Sequence, residues 1–494
     1  MTIALPHIIL LSFYLAVLIY CIYKDSTWGY YVVAGLICIE IFWTVKFGVG
    51  DMVSHAIGDI AILSILCLMY FLIQNVKIKI PLMLLGYLGF FGFHVQFAKT
   101  EPLAEDNTLY EVFVQFDNKE NLKNWIRTNE DTYNITYPLF RPADNSFLLD
   151  EYLLISDLDR EKYQYFSAIN SKNFGIEHIE INDVVELVTP ELAEIGTVKN
   201  TQRLNDPHLN KQWMADPYKL DKFHKLTEQK KFQAAGTESL IAILDTGVDS
   251  GHEDLKGNYK SISRRYDSDT RGHGTHCAGI AAAVTGNKIG IASLIPAKAP
   301  VKVTSIKVLN NFGAGTQKTI IDGIILAADK GCSVISLSLG GPTSDSKEKA
   351  YTEAVKYAQS KGSIVIVAAG NSGRDAKSYT PANTPGVIVV TALDSLMRKA
   401  SFGNDVSSLG MGLAAPGTGI YSTFPKNQYK PFNGTSMAAP FISGLVGLMK
   451  AYDPTLTTEE VYKLIYDSAQ KKNKLIIADP YGAMEQLFHT RLEG

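Results

Sequence analysis

With 494 residues, the chain is long enough for two to four domains, each with its own core. Its formal net charge is -3, from 47 Lys and Arg against 50 Asp and Glu, and no basic run stands out, so nucleic-acid binding has no electrostatic footprint. The five cysteines, three of them (Cys21, Cys38 and Cys67) in apolar stretches, give neither a disulfide framework nor a metal-ligand spacing.

The first hundred residues are far more apolar than the rest. Residues 4 to 23, 28 to 45, 56 to 75 and 80 to 97 are each largely apolar over about 18 to 20 positions, the length that crosses ~30 Å of hydrocarbon as a helix. Four transmembrane helices within residues 1–98 are therefore expected, which makes the lipid bilayer a partner and the chain a multi-pass membrane protein. A cleavable signal peptide would want a basic start, and no Lys or Arg precedes Lys24, so the first span is read as retained. Lys24, Lys77 and Lys79 fall in the first and third connections, against Lys46 and Lys99 on the other side. The positive-inside rule then puts everything after the last span outside the cytoplasm.

Residues 99–107, KTEPLAEDN, read as a polar linker. Beyond it TLYEVFVQFD alternates like a half-buried strand, ENLKNWIRT has helical spacing, YNITYPLF and EYLLIS are strand-like, REKYQYFSAI is helical, and VVELVTPE closes as a strand. The order strand, helix, strand, strand, helix, strand predicts a small α+β domain of ferredoxin-like type over residues 108–191.

From Ser239 onward apolar runs alternate with amphipathic stretches. LIAILD, VKVTSIKVL, CSVISLSL, SIVIVAA and VIVVTAL suit parallel strands buried on both faces, with TIIDGIILAADKG and SKEKAYTEAVKYAQSKG as helices between them. The expected fold over residues 205–485 is a doubly wound α/β domain with a mostly parallel sheet. In such sheets the crevice opens at the carboxyl ends of the strands, where Asp245 ends LIAILD and Asn371 follows SIVIVAAG.

Four motifs then coincide in chain order: AILDTGVD with Asp245, HGTHCAG with His273, VAAGNSG with Asn371, and FNGTSMAAPFISG with Ser436. A lone Ser in a Gly-Thr-Ser context is usually a cap or a turn, and one motif is a weak warrant. Together, and in the order Asp, His, Ser, they resemble the subtilisin-like serine proteases (subtilases, peptidase S8) from about Asn205 to about Ala469. The resemblance implies a serine endopeptidase working through an acyl-enzyme. Ser436 would be the nucleophile, His273 the base that takes its proton, and Asp245 the group that orients the imidazole. Asn371 and the Ser436 backbone N–H would hold the oxyanion.

The resemblance also makes residues 108–191 a propeptide, which assists folding and inhibits until it is removed, with cleavage between about Val188 and Asn205. A polypeptide substrate would bind as an extended strand between NNFGAG and SLSLGG, against Gly313, Ser338, Leu339, Gly340 and Gly341. The glycine-rich walls between SLSLGG and AAGN imply a first specificity pocket with room for a large apolar side chain. No cofactor is required for the chemistry. A structural calcium is implied at Asp254 and Asn287 with the carbonyls of Ile289 and Ile291, although Asp and Asn in loops also serve simply as turn formers. Asp249, His252 and His276 lie within the same motifs and read as structural groups, and Cys277 as a small buried residue. After GTSMAAP the family's usual His is Phe441 here, a position without a triad role.

A reading from another class is a membrane sensing or peptide-binding protein whose protease-like domain does not cleave. Four intact catalytic-type positions argue against it, because a binding module has no chemical need of them.

Overall fold

A computed structural model describes residues 109–144, 148–169, 175–187, 191–193, 204–229, 238–343 and 349–492, all within the unit Asn107–Gly494. Among the described residues no helix is long and apolar enough to cross a membrane. The four spans expected within residues 1–98 lie outside the described residues.

The smaller layer is built on Tyr110–Phe116, which pairs antiparallel with Tyr152–Leu158 on one side and Ile176–Ile181 on the other, while Asn134–Thr136 extends the sheet beyond Tyr152–Leu158. Period-two alternation divides its side chains. Val112, Val114 and Phe116 face the helices Lys119–Asn129 and Arg160–Ile169, where Leu122, Trp125 and Phe166 complete a small core. Phe113 goes the other way and, with Tyr152 and Leu154, joins the core of the larger domain.

One expected element is misplaced. VVELVTPE does not close this sheet. The fourth strand is Ile176–Ile181, and Val184–Glu186 instead pairs antiparallel with Ala314–Thr316 of the larger domain. The cause is tertiary: the more continuous apolar run finds its partner outside its own domain, which local periodicity does not reveal.

The larger domain carries an eight-stranded sheet. Its parallel strands run in the order Val301–Lys307, Ser239–Asp245, Val334–Leu337, Ile364–Ala368, Ile388–Leu393, Gly412–Pro416 and Leu475–Ile477, with Gln470–Lys472 antiparallel at the edge. Ser239–Asp245 shows why these runs are apolar throughout: Ile241 and Ile243 enter one core, and Leu240, Ala242 and Leu244 the other. The first core is covered by the helices His273–Ala282 and Thr435–Tyr452, the second by Gln317–Asp329 and Lys349–Ser360. At roughly 25 cal/mol per Å² of apolar surface removed from water, both faces contribute to stability.

The two helices of the first core meet closely. A Cβ added at Gly444 would stand 2.6 Å from the Ala281 carbonyl oxygen, so only glycine lets the backbones approach this far. This contact sets the His273 helix against the Ser436 helix.

The smaller domain docks on the ends of the second helix pair. Glu180, 2% exposed, accepts from Gln317 Nε2 at 3.1 Å and from the Ala350 N–H at 3.3 Å. The Asn182 side chain accepts from the Lys318 N–H at 2.9 Å. Each oxygen meets a helix N-terminus whose first N–H groups have no acceptor within the helix.

Candidate active site

Asp245 is the last residue of its strand and His273 the first of its helix. His273 Nδ1 lies 2.8 Å from both carboxylate oxygens of Asp245. Both side chains are buried, and Asp245 also accepts from the Thr246 N–H at 2.7 Å. The helix start is held by Asp269, whose carboxylate accepts from the N–H groups of Arg271, Gly272 and Thr275 and from the Thr246 and Thr275 hydroxyls. Gly274 permits the approach: a Cβ there would stand 2.1 Å from the Gly247 carbonyl oxygen. Sequence motifs did not single out Asp269 or Thr246, because a polar residue beside a helix start has many bland roles.

Burial disfavours the imidazolium of His273, but the Asp245 carboxylate, with Cys277 beside it, outweighs burial and holds His273 well above its ordinary range. The other ring nitrogen, Nε2, is buried and without a hydrogen-bond partner among the described residues. Asp245, His273 and Cys277 bring three ligand-type atoms within 4.8 Å of one another. The bifurcated Nδ1–H contact with Asp245, and the position of Cys277 one turn after His273 in the same helix, account for that clustering, and burial pushes the Cys277 thiol up.

Ser436 is the second residue of the Thr435–Tyr452 helix. Its hydroxyl donates to the Ser338 carbonyl oxygen at 3.1 Å rather than to the imidazole. The Ser436 carbonyl accepts from Ser338 Oγ at 2.9 Å and from Cys277 Sγ at 3.4 Å. Its backbone N–H lies in the first helical turn, where such groups lack an intrahelical acceptor and the macrodipole favours an anion.

Asn371 follows the strand Ile364–Ala368, and its side-chain oxygen accepts from both the N–H and the hydroxyl of Thr435, each at 2.9 Å. Fixing the oxygen fixes the amide plane. The NH₂ end is therefore the one left to donate to a ligand, near Gly434, where an added Cβ would be 3.5 Å from it. Thr435, like Asp269 and Thr246, was not singled out by the motifs.

Of the expected peptide-binding segments, SLSLGG lies against Ser436 through Ser338, and NNFGAG follows the strand Val301–Lys307. Ser338, Leu339, Gly340 and Gly341 follow the strand Val334–Leu337, and Gly341 pairs with Thr380. Gly313 has φ +83, and its carbonyl accepts from the Leu187 N–H at 2.8 Å. The chain's own residues thus lie along this edge. Val184–Glu186 pairs with Ala314–Thr316, and beyond the undescribed residues 188–190, Glu191–Leu192 pairs with Phe432–Asn433, just before the Ser436 helix.

The profile of the Subtilase family (Peptidase_S8) matches residues 236–483. The chain belongs to the subtilases. Over 221 residues this subtilase is 45% identical to thermitase of Thermoactinomyces vulgaris, a match covering 44% of this chain and 76% of thermitase. Over 255 residues it is 40% identical to subtilisin DY of Bacillus licheniformis, covering 49% of this chain and 89% of that relative. The protein is a serine-type endopeptidase with a subtilisin-like α/β domain and a polypeptide substrate.

The remaining motif residues of this subtilase are structural in placement. His252 and His276 each reach a backbone carbonyl of the Gln428–Asn433 strand, at 3.1 and 2.9 Å, and burial lowers His276 to about 3. Asp249 accepts from the Lys426 N–H at 2.8 Å. Asp254, Asn287, Ile289 and Ile291 do come together. Asp254 accepts from Asn287 Nδ2 and from the Ile291 N–H, each at 2.8 Å, and Asn287 Oδ1 accepts from the Ile289 N–H. Asp206 joins them unforeseen, accepting from the Gly286 and Asn287 N–H groups.

Proposed function

We propose that this protease cuts peptide bonds with Asp245, His273 and Ser436 as its triad, and that it is made as a membrane-anchored precursor that processes itself. The observation carrying the triad is the two-point contact of His273 Nδ1 with Asp245 at 2.8 Å, which leaves Nε2 as the nitrogen able to take a proton. Ser436 needs one side-chain rotation away from Ser338 to offer its proton there. It then attacks the scissile carbonyl, His273 returns the proton to the leaving amine, and water repeats the sequence on the acyl-enzyme. Asn371 and the Ser436 N–H stabilise the oxyanion.

Residues 108–191 act as the propeptide. The support is their placement: Val185 and Leu187 are buried on one side of the site, and residues 191–193 pair beyond it on the other. Self-cleavage accordingly falls between Leu187 and Glu191. The apolar stretches within residues 1–98 anchor the precursor in a bilayer with the peptidase domain outside the cytoplasm, on the strength of their length and the Lys distribution.

A calcium ion fits at Asp254. Asp206 and Asp254 are 2% and 0% exposed, and no cationic side chain pairs with either among the described residues. Burial pushes Asp254 up to about 7. Two buried carboxylates facing one loop are the chemistry of a hard-cation site, and the Asn287 side chain, swung off the Ile289 N–H, would add its oxygen to them. The carbonyls of Ile289 and Ile291 would complete the set, and the ion would stabilise the loop without entering the reaction.

Cell-free synthesis into lipid vesicles tests the precursor reading, because no other protease is present. Intact mass and N-terminal sequencing should find a new N-terminus between residues 188 and 191 in wild type and an uncut chain in Ser436→Ala. A wild-type chain that stays whole, or a Ser436→Ala chain cut at the same bond, contradicts it.

A further inference from the structure

On the reading of residues 108–191 as a propeptide, self-cleavage leaves the small domain held to the peptidase domain by non-covalent contact alone. Its stay then depends on one interface, the sheet face that carries Phe113, Tyr152 and Leu154 against the helix Lys349–Ser360.

Most of that face is apolar. Phe113, Phe140 and Leu154 share one buried cluster with Ala350, Tyr351 and Ala354 of the helix, and burial of this kind holds the two domains together. The middle of the face is different. Alternation along Tyr110–Phe116 points Gln115 to the same side as Phe113, and the sheet register sets it between Tyr152 and His178. Gln115 is 0% exposed, yet neither its Nε2 nor its Oε1 has a hydrogen-bond partner among the described residues. Tyr152 beside it is also fully buried with an unpartnered hydroxyl, and so is Tyr351 on the facing helix.

These polar atoms come from both sides of the interface and would be hydrated once the face opened to water. An unpaired buried polar group costs its desolvation, and here that cost falls on the docked state. A methionine at position 115 would have nearly the same shape without the penalty.

We propose that Gln115 is a release element, weakening the docked state of the small domain so that the inhibited complex comes apart after self-cleavage, with the Tyr152 and Tyr351 hydroxyls acting in the same direction. Before the cut, the continuous chain holds the two domains at high effective concentration and masks the weakness. After it, separation is free to proceed.

The test uses the full chain in lipid vesicles with a fluorophosphonate probe present throughout, so that each peptidase domain is trapped as it is freed and none digests the rest. Mass follows two events separately: the new N-terminus marks self-cleavage, and the adduct on Ser436 marks release. Gln115→Met should cleave itself at the wild-type rate and take up probe at least about 5-fold more slowly, the lower end of what one unpaired buried group implies. Tyr351→Phe, in the peptidase domain, should slow release in the same direction. Release at the wild-type rate or faster in Gln115→Met overturns the proposal, and where that variant does not fold the same criterion applies to Tyr351→Phe. A wild type that cleaves itself and never takes up probe overturns it too. A wild type that never cleaves itself removes the propeptide reading instead, whereas prompt cleavage with unaltered release removes the role of Gln115 alone.

Discussion

Ser338 and Ser436 exchange two hydrogen bonds: Ser338 Oγ donates to the Ser436 carbonyl at 2.9 Å, and Ser436 Oγ donates to the Ser338 carbonyl at 3.1 Å. Pro440 explains the first. Four residues after Ser436 inside its helix, it has no N–H to offer that carbonyl, and Ser338 supplies the missing donor. Ser338→Ala should leave the buried oxygen with the Cys277 thiol alone and cost about 1–2 kcal/mol. For a domain of this size each kcal/mol lowers Tm by about 2–4 °C. Calorimetry in a Ser436→Ala background, which prevents self-digestion, checks it, and an unchanged Tm would mean the gap left by Pro440 is filled otherwise.

Thr435 decides which end of the Asn371 amide is left free to donate. Asn371→Leu should lower kcat by about 10²- to 10³-fold, the loss known for one oxyanion donor in this class of enzyme, with KM little changed. Thr435→Val removes one of the two bonds orienting the amide and should lower kcat by about 5-fold, in line with the roughly 1 kcal/mol of a single hydrogen bond. Steady-state kinetics on one peptide substrate measures both. A change in KM alone would make Thr435 a binding residue instead.

The legible part of the sequence was the part with strong local periodicity. LIAILD, SIVIVAA and VIVVTAL became Ser239–Asp245, Ile364–Ala368 and Ile388–Leu393, because a strand buried on both faces must be apolar throughout. REKYQYFSAI became the helix Arg160–Ile169. What escaped depended on partners distant in sequence. IEHIEI, interrupted by charge, took the sheet position expected of VVELVTPE, and Gln470–Lys472, exposed throughout, gave no pattern at all. At the site the four motifs marked the residues proposed to carry the chemistry. Asp206, Asp269 and Thr435 serve by holding N–H groups and amides in place, and as isolated Asp and Thr residues they look like ordinary turn and cap formers.

Acid sensitivity follows from the His273–Asp245 pair. The base must be neutral to work, and its pKa in the fold is raised, so kcat/KM should fall as pH drops through that value, above the ordinary imidazole value of about 6.5. Asp245→Asn removes the charge that raises it. The acidic limb should move to lower pH while kcat falls by about 10⁴-fold. The same raised pKa adds stability that is fully present below the unfolded value and is lost as pH rises through the folded one. Asp245→Asn should therefore destabilise most on the acid side. A pH–rate profile unmoved by Asp245→Asn would contradict the pairing.

Chelation tests the Asp206–Asp254 loop. At a calcium concentration 100 times Kd the ion adds about 2.7 kcal/mol, which at about 2–4 °C per kcal/mol is a Tm rise of several degrees over protein in EDTA. Asp206→Asn and Asp254→Asn should each remove most of that difference. A Tm indifferent to calcium in wild type would leave these carboxylates with no ion to hold.

The central claim, that Ser436 is a nucleophile activated by His273, is tested most directly by a fluorophosphonate probe read by mass. Processed wild type should gain one adduct, on the peptide containing Ser436, while Ser436→Ala gains none and His273→Ala labels far more slowly. A folded wild-type protein that takes up no probe, or one labelled equally well without Ser436, would contradict the account.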